Sequence, residues 1–441
     1  MSNSLNRHHS PFKQFILVAL DLLSICAAFY ITSNLRVGVE PDFASLEFTT
    51  LATLIIGCLF IGSCYTKKQI GSKPVVPFST FLVVVTSALP CTVFIYLMGP
   101  DRFTHLFGRG ILPLAILLIG CLATTNRFVV NKIFKEHTTR VKLLILGNDA
   151  RKNYFDSSQL QNNITIESKL KSTIKEPIAK HEYDSIVIFP QYHPSEKEQN
   201  LLLDARLRGT PIFSASDFYE NFFFLIPVSS IDNDWFIRSE GFNMLHSLIT
   251  IKLKRFFDVL VSGTMLILLS PVVVLCATGI KLSSPGTVFF TQRRVGLSGT
   301  PFTIYKLRTM LVEAENEGPK WASEHDTRIF PFGRFLRRSR LDELPQFLNI
   351  IKGDMSIIGP RPERPEFTSE LSEKIPYYDL RHIVKPGLTG WAQVRYSYGA
   401  SIGDSLRKLQ FDLYYIKNYS LLLDLNIMLR TIQVMLGGKG R

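Results

Sequence analysis

Four apolar segments fill the first third of the chain, at 12–32, 51–65, 78–98 and 111–130, and a fifth runs from 256 to 280. A helix needs ~20 apolar residues to cross hydrocarbon, and among open structures only a helix satisfies its own backbone there. The first four segments, of which the second is shortest, are read as four transmembrane helices over 1–135. The first is no cleaved leader, because it has no small-residue cleavage site and three further segments follow it. Composition agrees, with 46% of the 441 residues hydrophobic and 33 of them Phe. Arg7 and Lys13 precede the first segment, Lys67, Lys68 and Lys73 follow the second, and Lys132, Lys135 and Arg140 follow the fourth. The other two loops carry Glu40, Asp42 and Glu47, then Asp101 with only Arg102 and Arg109. This asymmetry puts both ends of the bundle in the cytoplasm.

The net charge of +13 suits anionic lipid surfaces and phosphorylated small molecules. Nucleic acid is set aside, since no long Lys/Arg tract interleaved with aromatics occurs. Cys26, Cys58, Cys64, Cys91, Cys121 and Cys276 all lie within or beside apolar stretches, so none has metal-ligand or disulfide spacing.

Residues 136–230 alternate strand and helix patterns. A buried strand at 141–146 runs into Gly147, a second spans 184–190, helical character covers 199–208, and 211–214 forms a short third strand. That alternation implies a doubly wound α/β domain. Only Gly147 stands where a dinucleotide turn needs three glycines, so the domain is read as a degenerate, Rossmann-like cytoplasmic unit with a structural or regulatory role. Residues 231–250, with Asp232, Asp234 and Trp235, read as a polar-aromatic linker.

The fifth apolar segment is flanked by cations at both ends, Lys252, Lys254 and Arg255 before it and Lys281 after it. Beyond it, residues 281–441 hold 24 Lys+Arg against 16 Asp+Glu, which argues against export. Ser270-Pro271 interrupts it midway, where proline removes an intrahelical hydrogen bond. A helix at about 254–281 that enters, breaks at Ser270-Pro271 and returns to the same face reconciles these facts. Residues 419–436 are apolar with a thin polar stripe of Asp424, Asn426, Arg430 and Gln433, as in an interfacial or a core helix.

Between these segments stands an acid pair, Asp342-Glu343, preceded by Arg334, Arg337, Arg338 and Arg340 and followed by Arg361 and Arg364. Leu344, Phe347, Leu348 and Ile351 follow at helical spacing, which predicts one buried face, with Gly353 placed to end the helix. Pro345 fits only a first turn, so Asp342 is expected as N-cap and Glu343 as the first helical residue. An isolated Asp-Glu pair of this kind usually only caps a helix and answers its dipole. The surplus of guanidinium groups points instead to a phosphorylated ligand. Arg293-Arg294 and Lys306-Leu307-Arg308, at strand ends or turns, add to that surplus.

The motifs Lys254-Arg255-x-x-Asp258, Ser270-Pro271, Gln292-Arg293-x-x-Gly296, Lys306-Leu307-Arg308-Thr309-Met310, Leu341-Asp342-Glu343-Leu344-Pro345-Gln346, Gly353-Asp354-Met355-Ser356, Gly359-Pro360-Arg361-Pro362, Lys385-Pro386-Gly387-Leu388-Thr389-Gly390-Trp391-Ala392-Gln393-Val394 and Asp412-x-x-Tyr415 follow in that order. Over about 250–441 the chain resembles the bacterial sugar transferases, the polyprenyl-phosphate hexose-1-phosphate transferases that begin capsule, exopolysaccharide and O-antigen synthesis. With its front end it is similar to the long, polytopic members.

The resemblance implies a membrane α/β protein of the bacterial inner membrane. It would have a four-helix transmembrane bundle, a Rossmann-like cytoplasmic domain, and a C-terminal α-rich catalytic domain over 251–441 with a re-entrant membrane helix. It implies transfer of hexose 1-phosphate from a UDP-sugar to undecaprenyl phosphate with release of UMP. In that scheme Asp342 is the nucleophile, Glu343 helps hold Mg²⁺ or the reacting groups, and Asp342 is a further candidate ligand of the metal. Arg338, Arg361 and Asp412 match substrate-binding positions, with Lys306, Arg308 and Arg293 as weaker ligands. Lys254 and Arg255 would anchor the re-entrant helix at the headgroups, and Ser270-Pro271 would break it. Glucose and galactose lead among the hexoses, with N-acetylated sugars behind, and a homodimer follows by analogy. Two other readings compete. A membrane-bound nucleotide-sugar dehydratase or epimerase would need the glycine fingerprint and a Tyr-x-x-x-Lys base that the chain does not convincingly offer. A non-catalytic assembly scaffold would be expected to lose one of the two acids.

Overall fold

The computed structural model describes residues 11–62, 64–65, 75–98, 110–133, 139–147, 164–171, 182–242, 247–311, 326–396, 399 and 401–436. Contacts divide the chain into two compact units, Met1–Ala215 and Ser216–Arg441.

The first unit begins with apolar helices: α1 (Pro11–Arg36), α2 (Leu46–Ile61), α3 (Val75–Thr86), α4 (Ala88–Met98) and α5 (Ile111–Ile133). Of the four expected spans, α1 and α5 contain stretches long and apolar enough to cross a membrane, Gln14–Arg36 and Ile111–Val130. Helix α2 has only 16 residues, about 24 Å of helix against ~30 Å of hydrocarbon. The third segment divides at Ser87, whose hydroxyl donates to the Val84 carbonyl. The flanking residues Arg7, Lys67, Lys68, Lys73, Lys135, Asp101, Arg102 and Arg109 lie outside the described residues, as do the side chains of Lys13 and Arg140.

A polar lock that periodicity alone does not reveal joins α1 to α5. The Arg127 guanidinium donates to both oxygens of Asp21, at 2.9 and 2.8 Å, and the Tyr65 hydroxyl donates to the same carboxylate at 2.6 Å. Asp21 and Arg127 are both buried. Removing either partner would strand a charge in an apolar bundle, so the pair fixes the register of the two helices.

A four-stranded parallel sheet follows in the order β2-β1-β3-β4, from β1 (Thr139–Leu146), β2 (Ile164–Lys171), β3 (Ser185–Ile188) and β4 (Ile212–Ser214), with α6 (Glu196–Leu207) between the last two. Leu144, Leu146 and Ile186 pack on Leu202 and Ala205 of α6. Gly147 follows β1 at φ +134°, where an added Cβ would lie 3.0 Å from the Phe189 Cβ. The turn residues after it, Asn148 to Ala150, lie outside the described residues.

The second unit opens on α7 (Ala215–Phe223) and α8 (Asn233–Arg238). Ile226 and Val228 share a core with Leu371, Ile375, Tyr378, Leu409 and Leu413, and Trp235 packs against it. Lys417 lies over the Trp235 ring and pairs with Glu220 at 2.6 Å. Residues 226–238 thus fold with the C-terminal unit.

Helix α9 (Leu248–Ser283) is 36 residues long. It runs without interruption through Ser270-Pro271, where the sequence predicts a break. The physical reason lies in the hydroxyl: Pro271 has no N–H for the Ile267 carbonyl, and Ser270 Oγ donates to that oxygen at 2.8 Å instead. Large apolar side chains such as Ile267 and Leu275 remain exposed along it.

The rest of the unit comprises the antiparallel hairpin β5 (Phe289–Val295) and β6 (Pro301–Leu307), α10 (Pro331–Arg338), α11 (Gln346–Lys352), β7 (Ser356–Ile358), α12 (Pro365–Lys374), β8 (Gly387–Thr389), α13 (Trp391–Arg395), α14 (Ile402–Lys417) and α15 (Leu421–Leu436). Strands β7 and β8 pair in parallel.

Candidate active site

The acid pair lies on a short 3₁₀ turn, Leu341–Glu343. Arg340, just before it, is in the left-handed region at φ 59°, a conformation that costs a non-glycine residue on the order of 1 kcal/mol. Pro345 cannot donate to a preceding carbonyl, so the regular helix starts only at Gln346. Asp342 is therefore not an N-cap and Glu343 does not open α11; both stand one turn upstream, nearly buried. Gly353 ends α11 in the left-handed conformation at φ +101°.

The buried face of α11 also differs from expectation. Gln346, Asn349 and Ile350 point inward, while Leu348 and Ile351 are 43% and 38% exposed. Asn349 causes this inversion: its Oδ1 accepts from Tyr305 N at 3.1 Å and its Nδ2 donates to the Thr303 carbonyl at 2.6 Å. Asn349 bolts the helix to β6, Ile350 packs inward beside it, and Leu348 and Ile351 face out.

Glu343 Oε1 accepts from Arg361 Nη2 at 2.7 Å, with Lys306 Nζ at 3.4 Å and Arg340 Nη1 at 3.5 Å. Burial alone would raise its pKa, but Arg361, Lys306 and Arg340 outweigh it and hold the carboxyl far below the ordinary range. Asp342 moves the other way. Burial and the adjacent Glu343 charge push it up, against the pull of Lys306, Arg337 and Arg340. Neighbouring carboxyls with opposed shifts mark an arrangement in which one acid is fixed as an anion and the other is poised to change charge. Among the described residues, Asp342 has no hydrogen-bond partner.

Beside the acids, a small cavity is lined by Arg294, Ile304, Lys306, Gln346, Arg361 and Pro362. Gln292, Arg294, Ile304 and Lys306 share one face of the hairpin by its register, Gln292 opposite Ile304. Burial, with Arg361 and Arg294 close by, pushes Lys306 down to about 8 against the pull of Glu343 and Asp342. Gln346 is 2% exposed, and its amide nitrogen has no hydrogen-bond partner among the described residues. Three cations and an unsatisfied donor around one cavity suit a polyanion.

Several expected ligands stand elsewhere. Arg293 lies on the other, exposed face of β5, because strand neighbours point to opposite sides; the cavity receives Arg294 instead. Arg308 donates to the carbonyls of Ser284 and Pro285 and pins the exit of α9. Arg338 is exposed at the end of α10. Asp412 is paired with Arg381 at 2.9 Å, and Arg381 also donates to the Arg361 carbonyl at 3.0 Å and to the Tyr378 hydroxyl. The Asp412–Arg381 pair thus supports the turn that carries Arg361 from behind. Lys254 pairs with Asp424 at 2.7 Å, and Arg255 donates to the carbonyls of Ile350 and Ile351, so both engage protein rather than headgroups. Arg294 and Gln346 were missed as site residues, although both lie in or beside motifs legible in the sequence.

No cluster of three or more His, Cys, Asp or Glu that could hold a metal occurs among the described residues. Two adjacent carboxylates do match Mg²⁺, which commonly takes one or two from the protein and the rest of its shell from substrate phosphates and water.

The model of the bacterial sugar transferase family matches residues 249–438. The UDP-N-acetylgalactosamine-undecaprenyl-phosphate N-acetylgalactosaminephosphotransferase of Aeromonas hydrophila is 46% identical over 198 residues, 45% of this chain and 47% of that protein. The UDP-glucose:undecaprenyl-phosphate glucose-1-phosphate transferase of Escherichia coli (strain K12) is 42% identical over 184 residues, 41% of this chain and 39% of that protein. The protein of the same description from Caulobacter vibrioides is 42% identical over 185 residues, 42% of this chain and 69% of that protein. The chain belongs to the bacterial sugar transferase family. Its match spans about half or less of the length of the first two relatives.

Lys306 gives a prediction independent of turnover. Below about 8 it is protonated and the cavity holds three cations; above, it loses its charge. The affinity for inorganic pyrophosphate, measured by titration calorimetry, is expected to fall above pH 8 with a slope approaching tenfold per pH unit. Lys306→Arg is expected to flatten that slope. An affinity constant from pH 7 to 9.5 in the wild type would remove Lys306 from the anion site.

Proposed function

We propose that the protein transfers a sugar 1-phosphate from a UDP-sugar to undecaprenyl phosphate, releasing UMP, as the first step of a surface polysaccharide. The observation that carries this reading is the buried Asp342 carboxyl, without a hydrogen-bond partner among the described residues, next to a Glu343 locked by three cations and a cavity lined by Arg294, Lys306 and Arg361. The relatives' descriptions support the same reaction class.

The cavity cations and the Gln346 amide bind the diphosphate and orient it. Ionised Asp342 attacks the sugar-bearing phosphorus, forming an Asp–O–P bond as the P–O bond to UMP breaks. An oxygen of the lipid phosphate then attacks the same phosphorus and releases the Asp342 carboxylate. Glu343 keeps Arg361, Lys306 and Arg340 in place throughout. Mg²⁺, held by Asp342 or Glu343 with the substrate's own phosphates, would neutralise charge on the diphosphate.

In this reading α9 anchors the catalytic unit at the cytoplasmic face of the inner membrane, so that the unit meets the headgroups from that side. The 136–230 domain keeps a structural or regulatory role, and the protein works as a homodimer. The hexose is glucose or galactose, with the N-acetylated sugars next.

The test is UMP release by protein in nanodiscs with Mg²⁺ and undecaprenyl phosphate, offering UDP-glucose, UDP-galactose, UDP-GlcNAc and UDP-GalNAc in turn. Lipid-dependent UMP from one of them is expected. No UMP from any, with lipid and metal present, would favour the scaffold reading.

A further inference from the structure

A second group of cations lies beside the cavity, on the other side of α13. Arg395 closes that helix with its guanidinium 5.0 Å from the Trp391 ring centroid and 5.5 Å from Phe224. Arg430, on α15, stands 5.7 Å from the same indole. Among the described residues Arg395 donates once, to the Phe223 carbonyl at 3.2 Å, and its buried Nε has no partner. Among the described residues Arg430 donates through Nε alone, to Asn426 at 2.6 Å. Neither arginine has a carboxylate partner among the described residues, and the nearby Glu220 is taken by Lys417 and Asn418. Burial and the proximity of Arg430 push Arg395 down to about 10, the shift of a cation short of negative charge.

Two buried guanidiniums that have aromatic faces and neutral acceptors but no carboxylate among the described residues are short of negative charge, and an anion between them would supply it. The surroundings indicate where such an anion comes from. Leu421, Leu422 and Leu425 are exposed at the start of α15, and Trp391, Tyr414 and Phe224 form an aromatic cluster, the mixture found where protein meets a membrane surface. Gln393, on the same short helix, accepts from Arg361 at 3.3 Å. Residues two apart on a helix lie nearly on opposite sides of it, so the two cation groups are separated by on the order of 10 Å. The second group is adjacent to the first and distinct from it.

We propose that Arg395 and Arg430, gathered around Trp391, form the receiving site for the phosphate monoester of the acceptor lipid, apart from the cations that take the donor diphosphate. The proposal rests on the transfer reading above and adds where the second substrate waits. A separate anion site keeps the acceptor phosphate from competing with the donor diphosphate for one cation set.

The test uses full-length protein in nanodiscs and two readouts. One is binding of a fluorescent short-chain polyprenyl phosphate; the other is the UMP burst released by UDP-sugar in the absence of lipid. Arg430→Gln is expected to weaken lipid-phosphate binding about tenfold or more and leave the burst and UDP affinity as in the wild type, with Arg430→Lys recovering part of the binding. Arg395→Gln should act in the same direction. Unchanged lipid binding in both variants overturns the proposal, and so does joint loss of binding and burst, which would make the arginines structural. Competition by inorganic phosphate or phosphatidic acid at the concentration of the polyprenyl phosphate also overturns it, because the site would then take any anion. Arg430-dependent binding with no burst in the wild type would keep the site and remove the transfer reading.

Discussion

Asp342→Asn is expected to lower turnover by ~10⁴-fold or more while leaving the protein as stable as the wild type, or more so. The two halves of this expectation have one cause. Burial and the Glu343 charge raise the Asp342 pKa, so the fold disfavours the anion that the proposed attack requires. A group raised in this way weakens the fold as pH climbs from its unfolded to its folded pKa, and a neutral amide of the same shape removes that penalty. Glu343→Gln should do the opposite. Its carboxyl is held low by Arg361, Lys306 and Arg340, so it contributes stability above the ordinary glutamate pKa and loses it as pH falls below that range. Removing the charge leaves three cations facing one another, at a cost of about 3–5 kcal/mol for a broken buried pair. With Glu343 neutral, Asp342 would also ionise at lower pH, so whatever activity survives should show its acid limb displaced downward. Thermal melts in nanodiscs and pH–rate profiles of both variants check this. An active Asp342→Asn would end its assignment as nucleophile, and equal melting shifts in the two variants would end the division of labour.

That division could not be read from an adjacent Asp-Glu pair, because it depends on which acid the distant cations reach: Arg361 comes from a turn eighteen residues on, and Lys306 from a strand thirty-seven residues back. What was legible follows from local physics. Strands β1, β3 and β4 and helix α6 stand where alternation and apolar runs placed them, and Gly353 ends α11 because a left-handed cap favours a residue without Cβ. Strand β2 was missed because Glu167, Ser168, Lys169 and Lys171 dilute its apolar alternation. The inward face of α11 was inverted because the periodicity rule assumes that apolar residues point to the core, whereas here Asn349 binds the strand and Leu348 and Ile351 face out. The choice of Arg293 over Arg294 turned on strand phase, which two adjacent identical residues cannot reveal. Asp412 illustrates the limit of motif reasoning, since its partner Arg381 shares no motif with it.

Gly387→Ala is expected to destabilise the C-terminal unit by more than about 3 kcal/mol, beyond the usual range for an added methyl group. A Cβ at 387 would lie 2.1 Å from Gly359 N, 2.5 Å from Thr389 O and 2.6 Å from Gly359 O. All three are backbone atoms, so no side chain can swing aside. Gly359 and Gly390 meet the same constraint from the other side, with the Lys385 and Gly359 carbonyl oxygens at 2.4 and 2.2 Å. The glycines let β8 press against the turn that leads into Arg361, where Gly359 N donates to Thr389 O at 2.9 Å and Gly387 N donates to Pro360 O at 2.8 Å. Prising the strands apart would break those bonds and displace Arg361 from Glu343, so stability and pyrophosphate affinity should fall together. Gly263 is the control, with nothing within 4 Å of its Cβ position in the middle of α9. Gly263→Ala should melt at or slightly above the wild-type temperature, since alanine favours helix by about 1 kcal/mol. If Gly387→Ala melted with the wild type, the close approach of these two backbones would not be what holds Arg361 in place, and the supporting role would pass to the Arg381–Asp412 pair behind the same turn.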